Sequence, residues 1–247
     1  MNSKITGLLI LTIFSFGLLQ CTKSNKSQKQ GTLKEQLANK AANSKAPADA
    51  KKIMLKAIED LKAEKVAEKA VKVGGVLPKF NLPDVSRGNF NSKEMNQKGP
   101  MIITFYRGGW CPYCNLQLKD LHSRMSEIKE AGGILVAISP EKADRTQKMV
   151  EEKGYDFYVL SDVNGIVSRK FGLAYTLPED LKKVYLNNGL NLEDFNGNDK
   201  WELPLAATYV IDANGKIVYS FIDADYKVRA ETEEVIKALK SLNTKSI

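Results

Sequence analysis

Beyond the first third of the chain, apolar segments of strand length alternate with segments whose apolar residues recur at helical spacing. Three apolar segments are predicted as strands, each followed by a helix: Met101–Tyr106, Ile134–Ile138 and Phe157–Leu160. Residues 173–203 form a polar connection with a predicted helix near Pro178–Leu186. The Asn214–Gly215 turn between Thr208–Ile211 and Ile217–Ile222 predicts a hairpin before a final amphipathic helix. Parallel βαβ units, a hairpin and a last helix together predict an α/β sandwich.

Residues 33–72 have the pattern of a helical lead-in. Leu33 and Leu37 are four residues apart, and later apolar residues continue at helical spacing. Pro47 divides the segment into two helices, and Gly74–Gly75 ends it. We predict that this lead-in packs on the next domain, residues 73–247.

The N-terminus has the layout of an export signal. Lys4 is followed by a short uncharged apolar run that ends just before Cys21. One positive residue before such a run is typical of a secretory signal peptide, and the run is too short to span a membrane as a helix. Cys21 resembles the lipid-attachment cysteine of bacterial lipoproteins, although Gln20 departs from their usual small residue. We therefore predict a signal peptide over residues 1–20, lipidation at Cys21 and a flexible tether over residues 21–32. We predict that the protein is exported and anchored to a membrane, facing the periplasm or the cell surface. In the alternative, the signal peptide is an ordinary cleaved one and Cys21 is incidental.

Composition and charge narrow the class of partner. The chain has 247 residues, of which 43% are hydrophobic, so it can form one globular domain with extensions. Its net charge of +8 comes from 37 basic and 29 acidic residues. The surplus lies almost wholly before residue 73, whereas a nucleic-acid-binding domain carries it on the folded surface. We therefore expect no nucleic-acid partner. The Lys-rich lead-in suits an anionic membrane surface or a solvated helix face equally well.

The chemistry is concentrated in Cys111-Pro-Tyr-Cys114. Two glycines precede the motif, and Pro112 suits the first position of a helix. Both thiols then lie in the first turn, where the helix dipole favours a thiolate. Their separation of three residues allows them to join as a disulfide. The cysteines share one helix face with a row of apolar residues: Leu118, Leu121, Met125 and Ile128.

Other uses of this motif are less favoured than redox chemistry. Structural zinc needs four ligands, and the chain offers two thiols here and a single histidine, His122. A purely structural disulfide would close a very short loop and add little stability. His122 lies too far along the helix for a proton shuttle and is interpreted as a residue at the edge of the buried face. We expect no metal and no cofactor.

The residues from Phe105 to Cys114, with Asn115–Leu118 after them, resemble the AhpC/TSA class, the peroxiredoxin-like branch of the thioredoxin-fold superfamily. The resemblance extends from about Val73 to Leu242 and includes Thr208–Asp212. It implies a thioredoxin-like sandwich: a central mixed sheet flanked by helices, here with an N-terminal helical extension. The implied activity is that of a thiol-dependent peroxidase, an antioxidant enzyme that reduces hydroperoxides. Its partners would be a hydroperoxide and an external dithiol reductant such as a thioredoxin-like protein.

The sequence departs from that family at two points. Typical peroxiredoxins have Thr-x-x-Cys, which places Cys114 at the peroxide-attacking position and Cys111 at the threonine. Thioredoxins instead use the first cysteine as nucleophile, so the roles stay open. Ala206 stands where thioredoxins have a cis-proline and near where peroxiredoxins have a peroxide-binding arginine. Arg107 is then expected to lower the pKa of the attacking thiol and to hold the peroxide.

Four aromatic or polar residues near the motif are predicted to shape or border the substrate pocket: Tyr106, Trp110, Tyr113 and Thr208. Two other functions use the same residues differently. The dithiol could exchange with protein disulfides, or the chain could be a lipoprotein binding module in which the thiols are vestigial.

Overall fold

The computed structural model describes residues 31–243, so the predicted signal peptide, Cys21 and most of the predicted tether lie outside the described residues. The helices are α1 Leu33–Ala42, α2 Ala48–Ala63, α3 Ser92–Asn96, α4 Pro112–Ser123, α5 Met125–Glu130, α6 Ala143–Lys153, α7 Ile166–Lys170, α8 Glu179–Asn187, α9 Leu192–Asn196 and α10 Thr232–Asn243. The strands are β1 Asn81–Asp84, β2 Gly88–Asn91, β3 Met101–Phe105, β4 Ile134–Ser139, β5 Tyr158–Ser161, β6 Ala174–Thr176, β7 Glu202–Pro204, β8 Ala206–Ile211 and β9 Ile217–Asp223. None of the helices in this part of the chain is both long and apolar enough to cross a membrane.

Seven strands form one mixed sheet in the order β2-β1-β5-β4-β3-β8-β9. The pairs β3–β4 and β4–β5 are parallel, and the outer pairs are antiparallel. The predicted βαβ units and the terminal hairpin are therefore confirmed. Strand β3 is an interior strand beside the central β4, so the loop that leads from it to the two cysteines leaves the sheet close to its middle.

Both faces of this sheet are covered by helices. Side chains of a strand alternate between faces, and Ile102 and Ile103 accordingly belong to two different cores. Helices α1, α4, α5, α6 and α10 supply the core on the Ile102 face. The 3₁₀ turn Val66–Lys69 and helix α7 contribute to the core on the Ile103 face. Both faces of the central strands are thus removed from water, which explains their continuous apolar sequence.

The two lead-in helices predicted on either side of Pro47 are present. Leu33 and Leu37 of α1 are buried in the same core as α4. Helix α2 packs against α8, where a third apolar cluster forms around Trp201. The second helix ends at Ala63 rather than near residue 72. Lys65 adopts a left-handed conformation with φ of 52°, and the chain continues as a 3₁₀ turn.

Some elements differ from the sequence prediction. The hairpin β1–β2 and the small sheet β6–β7 were not predicted, and residues 173–203 contain a second helix, α9, beside the predicted α8. The single helix expected after the cysteines is interrupted at Arg124, whose φ and ψ of −115° and 21° separate α4 from α5. The predicted buried face nevertheless continues across this break, because Met125 and Ile128 are both buried.

Candidate active site

A tightly held loop joins β3 to α4. Gly108 has a φ of 146°, and a Cβ atom there would lie 2.4 Å from the indole Nε1 of Trp110. Only glycine accommodates this conformation with the indole ring so close. The Gly109 amide donates to Oε2 of the buried Glu141 at 2.8 Å, and the Asn115 side chain donates to the Gly109 carbonyl at 2.7 Å. The loop therefore presents the cysteines from a fixed position.

Cys111 is the N-cap of α4, and Cys114 is the third residue of that helix. The Cys111 carbonyl accepts a hydrogen bond from the Asn115 amide at 3.1 Å, which begins the helical ladder. Both thiols are free and buried, with 1% and 0% of the residue exposed. They are close enough to each other for a hydrogen bond between their sulfur atoms. The pair can thus become a disulfide without a large rearrangement.

Two donors converge on the sulfur of Cys114. The backbone amide of Arg107 lies 3.5 Å from Sγ, and Nη2 of Arg229 lies 3.1 Å from it. A cation and a backbone amide stabilise a thiolate more than a thiol. Among the described residues, no comparable set of donors surrounds Cys111, which makes the two sulfur atoms chemically unequal.

The pKa values of the two thiols move in opposite directions. Burial raises the pKa of Cys114, but the hydrogen bond from Cys111 and the charges of Arg229 and Arg107 outweigh it and lower that pKa to about 5. Burial raises the pKa of Cys111, and the hydrogen bond and charge of Cys114 raise it further. The dithiol therefore carries its negative charge on Cys114 and its proton on Cys111.

Arg229 is the donor to Cys114 that sequence reasoning missed. It lies between β9 and α10, 115 residues after Cys114, and only the tertiary fold brings the two together. Side-chain oxygens of Asp223 and Asp225 accept amide hydrogen bonds at 2.7 and 3.0 Å and fix the turn before it. Nη1 of Arg229 donates to the Val228 carbonyl at 3.1 Å. No local pattern marks Arg229, because its neighbours give no spacing signal.

A cavity of about 450 Å³ opens beside the thiols. Four of the predicted site residues line it: Arg107, Trp110, Cys111 and Tyr113. Tyr226, from the same loop as Arg229, lies across Tyr113 with the ring centroids 5.6 Å apart. Burial raises the pKa of Tyr226 to about 12, so its hydroxyl stays protonated. Cys114 lies behind Cys111 and is not part of the cavity wall.

Two predicted pocket residues lie elsewhere. Tyr106 is fully buried in the core and does not line the cavity, and burial raises the pKa of its hydroxyl. Thr208 is also fully buried, and its hydroxyl accepts from the Gln117 side chain at 3.0 Å and contacts the Thr104 hydroxyl at 3.1 Å. Neither residue lines the cavity, so the prediction that they border the substrate pocket is not met. Ala206 begins β8 and supplies no polar group, and the cation next to the thiolate is Arg229 instead.

The remaining candidates are peripheral. His122 is about one-third exposed, with Nδ1 3.4 Å from Asp156, as expected for the edge of the buried face. Within residues 31–243, no three histidine, cysteine or acidic side chains are grouped in a way that could hold a metal ion.

Comparison with known proteins agrees with this arrangement. The model of the AhpC/TSA family matches residues 73–220, which is more than half of the chain. The chain belongs to the AhpC/TSA family. This part of the chain includes the β3–α4 loop and both cysteines, while Arg229 lies beyond the matched residues.

Several proteins similar in sequence to this chain are named as peroxiredoxins. Peroxiredoxin Bcp of Escherichia coli (strain K12) is 27% identical over 170 residues, which cover 69% of this chain and 96% of the relative. Putative peroxiredoxin Rv2521 of Mycobacterium tuberculosis is 28% identical over 170 residues, covering 69% and 94%. The crystal structure of peroxidoxin BcpB from Mycobacterium tuberculosis has a TM-score of 0.55 at 20% identity, covering 70% of this chain and 98% of that one. The predicted thioredoxin-like fold is thereby confirmed.

Proposed function

We propose that this AhpC/TSA protein is a thiol-dependent peroxidase in which the Cys114 thiolate attacks the hydroperoxide and Cys111 resolves the product. The observation that carries the proposal is the pair of donors on Cys114 Sγ, the Arg107 amide at 3.5 Å and the Arg229 guanidinium at 3.1 Å. The peroxiredoxin relatives support the same class of reaction.

The reaction runs in three steps. The Cys114 thiolate attacks the terminal oxygen of ROOH, the O–O bond breaks, and RO⁻ takes up a proton and leaves as ROH. The resulting Cys114 sulfenic acid condenses with the Cys111 thiol, which forms the S–S bond and releases water. An external dithiol then reduces the Cys111–Cys114 disulfide and itself becomes a disulfide.

Access to the attacking sulfur passes by Cys111. Because Cys111 forms part of the cavity wall and Cys114 lies behind it, the peroxide meets the Cys111 side chain first. We propose that rotation of the Cys111 side chain about its Cα–Cβ bond gives the peroxide access to Cys114. The reverse rotation would bring the Cys111 thiol back to the sulfenic acid for condensation.

Single cysteine variants test the assignment of roles. After one equivalent of peroxide, the Cys111→Ser protein should carry a sulfenic acid on Cys114, detected by mass mapping with a dimedone-type reagent. The Cys114→Ser protein should carry none on Cys111, because the sulfur that receives both hydrogen bonds is absent and burial raises the pKa of the Cys111 thiol. Sulfenic acid on Cys111 alone would reverse the roles, and its absence from both variants would remove the peroxidase.

A second candidate function is thiol–disulfide exchange with proteins. The observation that favours it is that Cys111, the first cysteine, is the one that lines the cavity. Insulin reduction and peroxide consumption, measured on one sample of reduced protein, separate the two activities. Fast insulin reduction without peroxide consumption would favour exchange.

We also propose the export and lipid attachment expected from the sequence. The layout around Lys4 and Cys21 supports it. An exported protein needs a dithiol relay outside the cytoplasm as its reductant. Metabolic labelling with a fatty-acid probe, compared between the natural chain and Cys21→Ser, tests the attachment.

A further inference from the structure

The guanidinium group of Arg107 is buried with an unsatisfied donor. The residue is 3% exposed, and its Nε atom has no hydrogen-bond partner in the part of the chain that the structure describes. The ion pairs formed by arginines within residues 31–243 involve Arg87, Arg124 and Arg169, and not Arg107. The arginine that donates to the thiolate is Arg229. The Arg107 guanidinium is therefore available for another partner.

Aromatic rings surround this guanidinium. Its central carbon lies 4.1 Å from the ring centroid of Tyr226, 4.9 Å from that of Trp110 and 5.7 Å from that of Tyr185. Ring faces stabilise a positive charge. Ring faces do not accept conventional hydrogen bonds from the five N–H groups of a guanidinium, as carbonyl or carboxylate oxygens do. A planar fork held between rings is thus oriented in advance for the oxygen atoms of a ligand.

The larger cavity beside Arg107 has walls with apolar side chains, and the charged residues on those walls are positive. Arg107 lines both the cavity of about 450 Å³ and a neighbouring one of about 140 Å³. Exposed Lys40 and Lys45 lie on the wall of the larger cavity, to which no described acidic residue contributes. Asp60 and Glu64 line the smaller cavity and not the larger one. A volume of this size suits a small organic ligand.

We propose that Arg107 forms the anion subsite of the active-site cavity and binds the carboxylate of an amphipathic organic reactant. The apolar part of that reactant would lie against Trp110 and Tyr113. The inference rests on the proposed peroxidase function, because that chemistry brings two reactants of this kind to the cavity. One is an organic hydroperoxide that carries a carboxylate, and the other is a small carboxylated thiol that reduces the disulfide.

Binding of an unreactive probe tests the subsite without turnover. In the Cys111→Ser, Cys114→Ser double variant, calorimetry should show octanoate binding about 10- to 100-fold more tightly than octanol, the range expected of a charge-assisted bidentate pair. Adding Arg107→Gln should abolish that preference. Arg87→Gln is the matched control, since its guanidinium also lies over a ring, that of Tyr158 at 5.0 Å, but outside the cavity. It should leave the preference unchanged.

Two further measurements guard against a variant that fails to fold. Arg107→Lys keeps the charge and loses the fork, so it should retain a weakened preference for octanoate. In the natural protein, octanoate but not octanol should slow alkylation of Cys111, which shares the cavity wall with Arg107. Octanoate that binds no better than octanol, or a preference that survives Arg107→Gln, would overturn the proposal.

Paired reactants identify which one uses the subsite. The kcat/KM ratio of a carboxylated hydroperoxide to its methyl ester should fall about 10-fold or more in Arg107→Gln if the peroxide binds there. The rate ratio of thioglycolate to 2-mercaptoethanol in reducing the disulfide should fall if the thiol binds there. Because both members of each pair react with the same protein, a general effect of Arg107 on thiolate reactivity cancels in the ratio of their rates. If neither ratio changes, the subsite serves neither reactant and the proposal is wrong. If the natural protein forms no sulfenic acid while the octanoate preference holds, the peroxidase fails and the anion subsite stands.

Discussion

Replacement of Arg229 by glutamine is the most direct test of how this fold makes a reactive thiolate. The change removes a guanidinium whose Nη2 lies 3.1 Å from Cys114 Sγ, and only 4% of Arg229 is exposed to water. A hydrogen bond to a charged group contributes about 1.5–3 kcal/mol. One pKa unit corresponds to about 1.4 kcal/mol, so the pKa of Cys114 should rise by about 1 to 2 units from its value of about 5.

The size of the rate effect then depends on pH. Near pH 7, about half or more of the thiol stays ionised after such a shift, and ionisation alone lowers the rate of sulfenic acid formation by about twofold at most. At about pH 5.5 the thiolate fraction should fall by about 3- to 25-fold. A larger loss near pH 7 would mean that Arg229 also stabilises the charge that moves from sulfur to the leaving oxygen.

Site-resolved alkylation measures the shift. The rate of iodoacetamide labelling of the peptide that contains Cys114, followed against pH, gives the midpoint for natural protein and variant. Lys227→Gln is the matched control, because it removes one charge from the same loop where Lys227 pairs with Asp225 at 3.5 Å. An unchanged midpoint in Arg229→Gln, with the fold intact by circular dichroism, would refute this account of the thiolate.

Three further predictions concern the same site. The rate of sulfenic acid formation should stay level as the pH falls from about 8 to about 6 and be lost as it falls through about 5, because an acid with a lowered pKa keeps its charged form above that value; a stopped-flow pH profile with a midpoint near 8.5 would contradict it. Gly108→Ala should lower peroxidase activity at least 10-fold, since a Cβ would lie 2.4 Å from the indole nitrogen, whereas Gly154→Ala, with a φ of 65° and nothing within 4 Å of the added atom, should cost only about 1 kcal/mol of stability. Glu141→Ala should lower the free energy of unfolding in urea by about 1–3 kcal/mol, since it leaves the Gly109 amide without its acceptor at 2.8 Å, and an unchanged midpoint would contradict it.

The sequence predicts the central strands of the sheet correctly, but it does not predict the β1–β2 hairpin at one side. The central strands are buried on both faces, so their continuous apolar runs are visible without a structure. Strand β1, Asn81–Asp84, lies one strand in from the edge of the sheet, has only one buried residue and contains Pro83. Such a segment carries no period-two apolar pattern. The lead-in also ends earlier than predicted, since the left-handed turn at Lys65 has no glycine to mark it.

In the candidate site, residues close to the cysteines in sequence are predictable, whereas residues distant in sequence are not. The two thiols, Arg107 and Trp110 are close in sequence, and the spacing predicts that they meet. Arg229 and Tyr226 reach the site only because β9 pairs beside β8 and the following loop returns over α4. A residue that contributes through one tertiary contact leaves no periodic signal, so a single sequence does not reveal it.

The environment of the two thiols explains why the roles of a Cys-x-x-Cys pair cannot be assigned from the motif alone. The dipole of α4 acts on both sulfur atoms, because both lie in its first turn. The asymmetry comes from outside the motif, since the Arg107 amide and the Arg229 guanidinium both contact Cys114. Cys111 stands where the family pattern has a threonine, and its S–H serves as a hydrogen-bond donor to the thiolate. One side chain can therefore act first as a donor that stabilises the nucleophile and then, after oxidation, as the thiol that closes the disulfide.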